Sequence, residues 1–301
     1  MDNELLKQVT EKAEKWLSPE YDEETRAAVK AMLDSEDKTE LIESFYKDLE
    51  FGTGGLRGIM GAGSNRMNIY TVGAATQGLS NYLKVAFKDL PEIKVVVGHD
   101  VRNNSRKFAE IVADIFSANG IKVYLFDSCR PTPEMSFAIR HFGCQSGVII
   151  TASHNPKEYN GYKAYGPDGC QMTDDAAAVV YAEIQKTDVL TGAKRIPFEE
   201  GLSSGMIQYV GEDCKEALYD AIKARSVRPG LCKTAGLKLV YSPLNGSGLV
   251  PVTRVLHDIG IDDITIVPEQ QYPDGNFPTC PYPNPEIFEA LRLGLELAEK
   301  T

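Results

Sequence analysis

Apolar residues recur at helical spacing along the first 50 residues of the chain. Leu41, Phe45 and Leu49 repeat every four residues. An earlier stripe follows the i, i+3, i+4 pattern of an amphipathic helix. It consists of Leu5, Leu6, Val9, Ala13 and Trp16. We therefore expect residues 1–50 to form an N-terminal helical extension that packs on the first domain.

From residue 93 onward, short apolar runs alternate with longer segments of helical period. The expected strands are 93–98, 122–126 and 146–151, and the expected helices are 104–119, 133–142 and 176–186. Strands that alternate with helices in this way pair in parallel and carry helices on both faces of the sheet. The pattern predicts an α/β fold, with three-layer α/β/α sandwich domains and mixed, mainly parallel sheets.

A stretch with few apolar residues in register, 187 to about 210, predicts a domain boundary. Beyond it a second α/β unit is expected, with strands at 237–241 and 264–267 and a last helix that begins after Asn284 and Pro285. That helix should lead into another strand, so we expect this domain to be incomplete at its C-terminus. The expected division is 1–50 for the extension, 51–205 for the first domain and 206–301 for the second.

Composition narrows the class of protein. Hydrophobic residues make up 43% and charged residues 25% of the chain, as in soluble globular enzymes. The formal net charge of -11 argues against binding of nucleic acid or of an anionic membrane, although a local cationic pocket can still bind a small anion. The six cysteines include no C-x-x-C pair, and no apolar run reaches the roughly 18 residues of a membrane span. We expect a cytoplasmic protein with reduced thiols, and make no prediction of its oligomeric state.

Ser153 lies just beyond the third expected strand of the first domain, in the segment Ile150–Lys163. Ligands of open α/β sheets bind outside the carboxyl ends of the strands. A serine there can be a nucleophile, a phosphoryl carrier or a turn residue. A serine hydrolase would require the G-x-S-x-G elbow, but Thr151 and Asn155 stand in place of the glycines. The hydrolase interpretation is therefore the least favoured.

Cationic and turn-forming residues surround this serine in the sequence. The dipeptide Asn160–Gly161 is typical of a type I′ hairpin, which would return Lys163 over the serine loop. A glycine-rich segment, 51–58, carries Arg57. Glycines let backbone N–H groups approach a phosphate, and arginine binds phosphate through two donors. Asp100 and Arg102 are expected to form an ion pair that holds loops together.

Several motifs together resemble those of the α-D-phosphohexomutase family, the phosphoglucomutase and phosphomannomutase group, in its longer branch with an N-terminal extension. They are Gly52–Gly58, Gly98–Arg102, Thr151–Pro156, Tyr159–Lys163 with Asp168–Gly169, and Pro283–Glu286. The match spans most of the chain. The resemblance implies an isomerase that interconverts hexose 1-phosphate and hexose 6-phosphate through a phosphoserine and a sugar 1,6-bisphosphate.

The resemblance also implies roles for individual residues. Ser153 would carry the phosphoryl group, and Mg²⁺ would bind an oxygen of that phosphoserine. Arg57 would contact phosphate. Lys163 would act near the attacking hydroxyl as a general acid/base or as electrostatic support, and His154 would orient the serine loop or bind the transferring group. For His154, a purely structural role in the loop stays an equal alternative.

One part of the family pattern is not found in this sequence. The family's metal-binding loop, D-x-D-x-D-R, does not occur, and the chain ends at Thr301, about where that loop is expected. We therefore expect a fragment, with the remaining metal ligands beyond this chain and no appreciable mutase activity of its own. The alternative is a catalytically silent module that binds sugar phosphates on the same fold. In either case the expected partner is a phosphorylated sugar.

Overall fold

The structure, a computed structural model, describes residues 3–301. Its strands are β1 Gly55–Ile59, β2 Lys94–His99, β3 Lys122–Leu125, β4 Ser146–Ile150, β5 Tyr159–Tyr165, β6 Ile207–Tyr209, β7 Leu239–Tyr241 and β8 Ile264–Ile266. Its α-helices are α1 Asn3–Lys15, α2 Glu23–Asp34, α3 Thr39–Phe45, α4 Ile69–Ala86, α5 Ser105–Ala118, α6 Thr132–His141, α7 Asp174–Gln185, α8 Phe198–Ser203, α9 Glu212–Lys223, α10 Leu231–Thr234, α11 Leu249–Asp258 and α12 Phe288–Ala298. A 3₁₀ turn covers Pro268–Gln270.

The first domain is built on a six-stranded sheet with the order β1-β5-β4-β2-β3-β6. Strand β5 runs antiparallel to both of its neighbours, and the remaining pairs are parallel. Helices α4, α5 and α7 bury one face of the sheet, and α6 and α9 bury the other. The predicted α/β class, with a mixed and mainly parallel sheet between helical layers, is confirmed.

Strand β6 belongs to this first sheet, where it pairs in parallel with β3. The boundary predicted at residue 205 placed this segment in the second domain. The sheet therefore continues four residues past that boundary, to Tyr209. Strands β7 and β8 form a separate parallel pair in the second unit, with α12 packed on β7.

The N-terminal extension consists of α1, α2 and α3 around a core of its own. Trp16 stacks on Tyr21 with ring centroids 4.8 Å apart, and its edge meets Tyr70 of α4 at 5.8 Å. The extension thus packs on the first domain as predicted, although turns divide it into three helices. Residues 1 and 2, which the prediction included, lie outside the described residues.

Helix α4 and strand β1 lie in parts of the chain for which the sequence predicted no regular structure. Helix α4 is rich in small residues and is buried on nearly every side, between α5 and α7. A Cβ atom at Gly78 would collide with the backbone nitrogen of Ile184 in α7 at 2.8 Å. The small residues of α4 therefore permit close helix packing and, for the same reason, give no amphipathic period.

In residues 3–301 no helix is both long and apolar enough to cross a membrane.

Candidate active site

Ser153 lies in the loop 151–158, which connects β4 to β5 at the carboxyl ends of the parallel strands β2 and β4. Ala152 before it is fully buried, whereas the Ser153 side chain is exposed. The backbone of Ser153 has a φ of 59°, in the left-handed region that is uncommon for residues other than glycine. Its N–H donates to the Thr151 hydroxyl at 3.0 Å. The loop backbone is thus anchored at Thr151 and Ala152, and it presents the Ser153 hydroxyl to solvent.

His154 is the immediate neighbour of this hydroxyl in space as well as in sequence. Its Nδ1 lies 3.3 Å from Oγ of Ser153, and both side chains are exposed. The imidazole can exchange a hydrogen bond with the serine, and its Nε2 has no hydrogen-bond partner among residues 3–301. The structure therefore brings His154 and Ser153 together.

Arg57 reaches the serine loop from the edge strand β1, which pairs with β5. It lies on β1, opposite Gly161 of β5, and its Nη1 donates to the side-chain oxygen of Asn155 at 3.1 Å. The guanidinium is otherwise exposed. Asn155, which the sequence analysis did not select as a site residue, therefore connects the loop to this cation.

Lys163 lies on β5, opposite Gly55 of β1 and Ile149 of β4. Side chains alternate along a strand, so Lys163 shares a sheet face with position 161 and hence with Arg57. Burial and then the nearby charge of Arg57 lower the pKa of Lys163, while Asp100 opposes this shift. Within residues 3–301 the ammonium has no hydrogen-bond or ion-pair partner. It is consequently free to meet an anion.

The predicted hairpin turn at Asn160–Gly161 is wrong. Both residues lie inside strand β5, where Gly161 pairs with Arg57 and Asn160 with Gly58. The Asn160 side chain is fully buried and donates to the Ser105 hydroxyl at 2.9 Å. Tertiary hydrogen bonds of this kind override the local turn preference. Lys163 is therefore placed by the pairing of β5 with its two neighbours.

The glycine-rich segment forms a tight turn, and a role in phosphate binding stays a prediction. Gly52 and Gly55 exchange two backbone hydrogen bonds, of 2.9 and 3.0 Å, in a tight turn that leads into β1. Gly55 has a φ of 134°, and a Cβ atom there would overlap the carbonyl oxygen of Tyr162. These glycines serve the close pairing of β1 with β5, which sets the position of Arg57.

Asp100 and Arg102 form the predicted ion pair, with 3.3 Å between Nε of Arg102 and Oδ2 of Asp100. The Asp100 carboxylate also accepts from the hydroxyls of Thr151 at 2.5 Å and of Ser105 at 2.7 Å. The pair thus joins the end of β2 to the start of the serine loop. Sequence reasoning identified this pair and missed its direct contacts with the serine loop.

The described residues offer few ligands for a metal ion. Within 3–301 no group of three or more histidine, cysteine, aspartate or glutamate side chains could hold one. Asp100 is already bound by two hydroxyls and Arg102. The residues present do not by themselves fit Mg²⁺, so magnesium stays a prediction that depends on a phosphate carried by Ser153.

Two protein-family models match the sequence of the chain. The model described as phosphoglucomutase/phosphomannomutase, alpha/beta/alpha domain I, matches residues 48–190, and the corresponding domain II model matches residues 216–301. The chain belongs to the phosphoglucomutase/phosphomannomutase family. The resemblance found in the sequence motifs is thereby confirmed.

Individual members of the phosphoglucomutase/phosphomannomutase family are similar along most of the chain. A phosphoglucomutase of Staphylococcus haemolyticus is 36% identical over 271 residues, which are 90% of this chain and 48% of the relative. A protein of Schizosaccharomyces pombe named as a probable phosphoribomutase is 36% identical over 296 residues, 96% of this chain and 49% of the relative. The chain thus spans about half the length of these curated relatives.

The fold of this family is also found among solved structures. A phosphoglucomutase/phosphomannomutase family protein from Burkholderia thailandensis superimposes with a TM-score of 0.62 at 23% identity. The match covers 83% of this chain and 50% of that one. At this level of identity the similarity demonstrates a shared fold.

Proposed function

We propose that the protein is a phosphosugar mutase that interconverts hexose 1-phosphate and hexose 6-phosphate, with Ser153 as the phosphoryl carrier. The observation that carries the proposal is the exposed hydroxyl of Ser153 at the mouth of the sheet, next to cations. Arg57 contacts the serine loop at Asn155, and Arg57 is close enough to Lys163 to lower its pKa. Family membership supports the same conclusion.

The proposed reaction has two phosphoryl transfers. In the first, the bond between phosphorus and Oγ of Ser153 breaks, phosphorus bonds to a sugar hydroxyl oxygen, and the proton of that hydroxyl passes to Oγ, from which the second transfer removes it again. The product is a sugar 1,6-bisphosphate. In the second, the other phosphoryl group of the bisphosphate returns to Oγ, and the leaving sugar oxygen regains a proton. No phosphate is consumed.

The cationic residues have distinct tasks in this scheme. Phosphoryl transfer depends mainly on positioning and on neutralising oxygen charge. Arg57 binds phosphate oxygens, and Lys163 supports the attacking hydroxyl as an electrostatic partner or general acid/base. A lowered lysine pKa suits proton exchange nearer to neutral pH. His154 orients the Ser153 hydroxyl or hydrogen-bonds the transferring group.

We propose Mg²⁺ and the sugar 1,6-bisphosphate as cofactor and activator. The metal ion, when bound through the phosphate on Ser153, would neutralise charge on the transferring group. No step above is assigned to it. We further propose that the chain alone has no appreciable turnover, since it spans about half of its curated relatives. Comparison of the recombinant chain with the natively purified protein tests this, and substantial turnover by the chain would contradict it.

A pentose phosphate is the second candidate substrate. It is favoured by the relative named as a probable phosphoribomutase, which is as similar as the phosphoglucomutase. The native protein should be assayed with glucose 1-phosphate, mannose 1-phosphate and ribose 1-phosphate in parallel. The highest kcat/KM for a hexose supports the main proposal, and a higher value for ribose 1-phosphate supports the alternative.

The serine assignment is tested by Ser153→Ala, with Ser204→Ala as the control at an exposed serine outside the loop. In the native protein we expect Ser153→Ala to abolish conversion and Ser204→Ala to retain it. Normal conversion by Ser153→Ala would refute the proposed role. Sugar phosphate binding by the native protein with no conversion of any of the three sugars would instead favour the silent binding module.

A further inference from the structure

The guanidinium of Arg102 lies beneath the serine loop and is inaccessible to solvent. Its Nη1 donates to the carbonyl oxygens of Pro156 at 2.8 Å and Tyr159 at 3.1 Å. Its Nη2 donates to those of Ser153 at 2.9 Å and Asn155 at 2.6 Å. One side chain thus binds three carbonyls of the loop that presents Ser153 and the carbonyl of Tyr159, the first residue of β5.

These contacts compensate for the lack of a strand partner within the loop. Buried carbonyl groups need donors, and only a planar guanidinium can supply several donors in a fixed fork. The carbonyl of Ser153 is one of the four, and Ser153 is also the loop residue in the left-handed region. Arg102 therefore acts on the residue whose backbone conformation costs the most to maintain.

The second domain covers the other side of the same guanidinium. The ring centroid of Phe277 lies 5.4 Å from Cζ of Arg102, and Phe277 is 5% exposed. Next to it, Asn276 accepts a hydrogen bond from the side chain of Asn103 at 3.1 Å. Gly275 lies so close to the segment between β2 and α5, which carries Arg102, that a Cβ atom there would be 2.7 Å from the backbone nitrogen of Asn103.

We propose that Arg102 is a positioning residue that holds the Ser153 loop in its exposed, left-handed conformation, and that Phe277 of the second domain keeps Arg102 in place. The order of the serine loop then depends on contacts from both domains. This inference rests on the proposed function only for its effect on phosphoryl transfer, since the loop conformation can be measured without any reaction.

Amide hydrogen exchange of the chain, measured by mass spectrometry, tests the structural part. In Arg102→Lys we expect exchange in peptides covering 152–159 to rise about tenfold or more, because an ammonium cannot bind four carbonyls. Peptides from β2 and β4 should keep their wild-type rates. Phe277→Ala should raise exchange in the same loop by about threefold or more, although the residue lies in the other domain.

Matched controls exist for both variants. Arg66 is 4% exposed and pairs with Glu40 far from the loop, so Arg66→Lys should leave loop exchange unchanged. Tyr272 lies in the same segment as Phe277 but is 66% exposed, so Tyr272→Ala should have no effect. Wild-type loop exchange in Arg102→Lys would overturn the proposal. An equal rise in the exchange rates of peptides from β2 and β4 would also overturn the proposal, because Arg102 would then stabilise the whole domain and not the serine loop in particular.

The catalytic consequence is measured separately, in the native protein. Arg102→Lys should lower kcat about tenfold or more with little change in KM, because substrate binds to groups that the variant retains. If the wild type carries no phosphoryl group on Ser153, the proposed function fails and the exchange result is unaffected. If the wild type is phosphorylated and Arg102→Lys keeps its kcat, the positioning inference fails alone.

Discussion

Gly161 occupies a crowded position next to the serine loop. It lies inside β5, between β1 and the end of β4, and its carbonyl accepts from the Thr151 N–H at 2.9 Å. A Cβ atom at this position would be 2.5 Å from the Thr151 carbonyl oxygen and 3.2 Å from that of Leu56. Both obstacles are backbone atoms, so Gly161→Ala can be accommodated only if strands move apart.

The cost can be worked from these contacts. Overpacking of this kind costs about 1–3 kcal/mol, and weakening the bond from the Thr151 N–H costs a further ~1 kcal/mol. Replacing glycine by alanine restricts the unfolded chain, which offsets roughly 0.4–1 kcal/mol. We therefore expect Gly161→Ala to lower the free energy of unfolding by about 1–3.5 kcal/mol.

The assay is urea unfolding followed by far-ultraviolet circular dichroism. Gly52→Ala is the matched control, because a Cβ atom at Gly52 meets no heavy atom within 4 Å. The control should unfold close to the wild-type midpoint. The free energies of unfolding of Gly161→Ala and Gly52→Ala are then compared. A difference of less than about 0.5 kcal/mol, within the usual range of surface substitutions, would refute the close packing of β5 against the serine loop.

Three further substitutions test other contacts. Asn160→Ala removes the hydrogen bonds of a buried amide side chain with Asn103, Ser105 and Gly161 and should cost about 2–4 kcal/mol in urea unfolding; a cost below ~1 kcal/mol would contradict the burial of this amide. Lys163→Met should raise the free energy of unfolding near neutral pH, because burial and Arg57 lower the pKa of Lys163 and disfavour its charged form. In the wild type the cost of burying the charged lysine is present below the lowered pKa of Lys163, so the free energy of unfolding rises with pH from that pKa to the ordinary lysine pKa. If Lys163→Met shows the same rise, Lys163 is not the group responsible for it. Arg195→Ala leaves the buried Asp114 carboxylate without its half-exposed partner at 2.6 Å and should cost about 1–3 kcal/mol, most of which Asp114→Asn in the same chain should restore; no recovery in the double variant would contradict this.

The alternating part of the first domain was predictable because its elements are simply periodic. The helix expected at 104–119 is found at Ser105–Ala118, and the strand expected at 146–151 at Ser146–Ile150. Helix α4 was missed because burial on all sides removes the polar face that a periodicity argument needs. Packing of Gly78 against Ile184 joins segments far apart in sequence, which no local pattern reveals.

The site was predictable as a set of residue types and only partly as geometry. The motifs identified Ser153, His154, Arg57 and Lys163, and the structure places Arg57 and His154 in contact with the serine loop. The turn predicted at Asn160–Gly161 is wrong, because the preference of this dipeptide for a turn is weaker than the tertiary contacts of β5. The bonds from Arg102 to the loop span more than 50 residues of sequence and depend on strand order. Sequence spacing alone cannot give such contacts.

Peptide-resolved mass spectrometry of the native protein, freshly purified, tests the role of Ser153 most directly. We expect a phosphoryl group on Ser153 that is removed by incubation with the sugar monophosphate and restored by the sugar 1,6-bisphosphate. Ser153→Ala should carry no exchangeable phosphoryl group. A native protein that converts the sugar phosphate while Ser153 stays unmodified throughout would contradict the account.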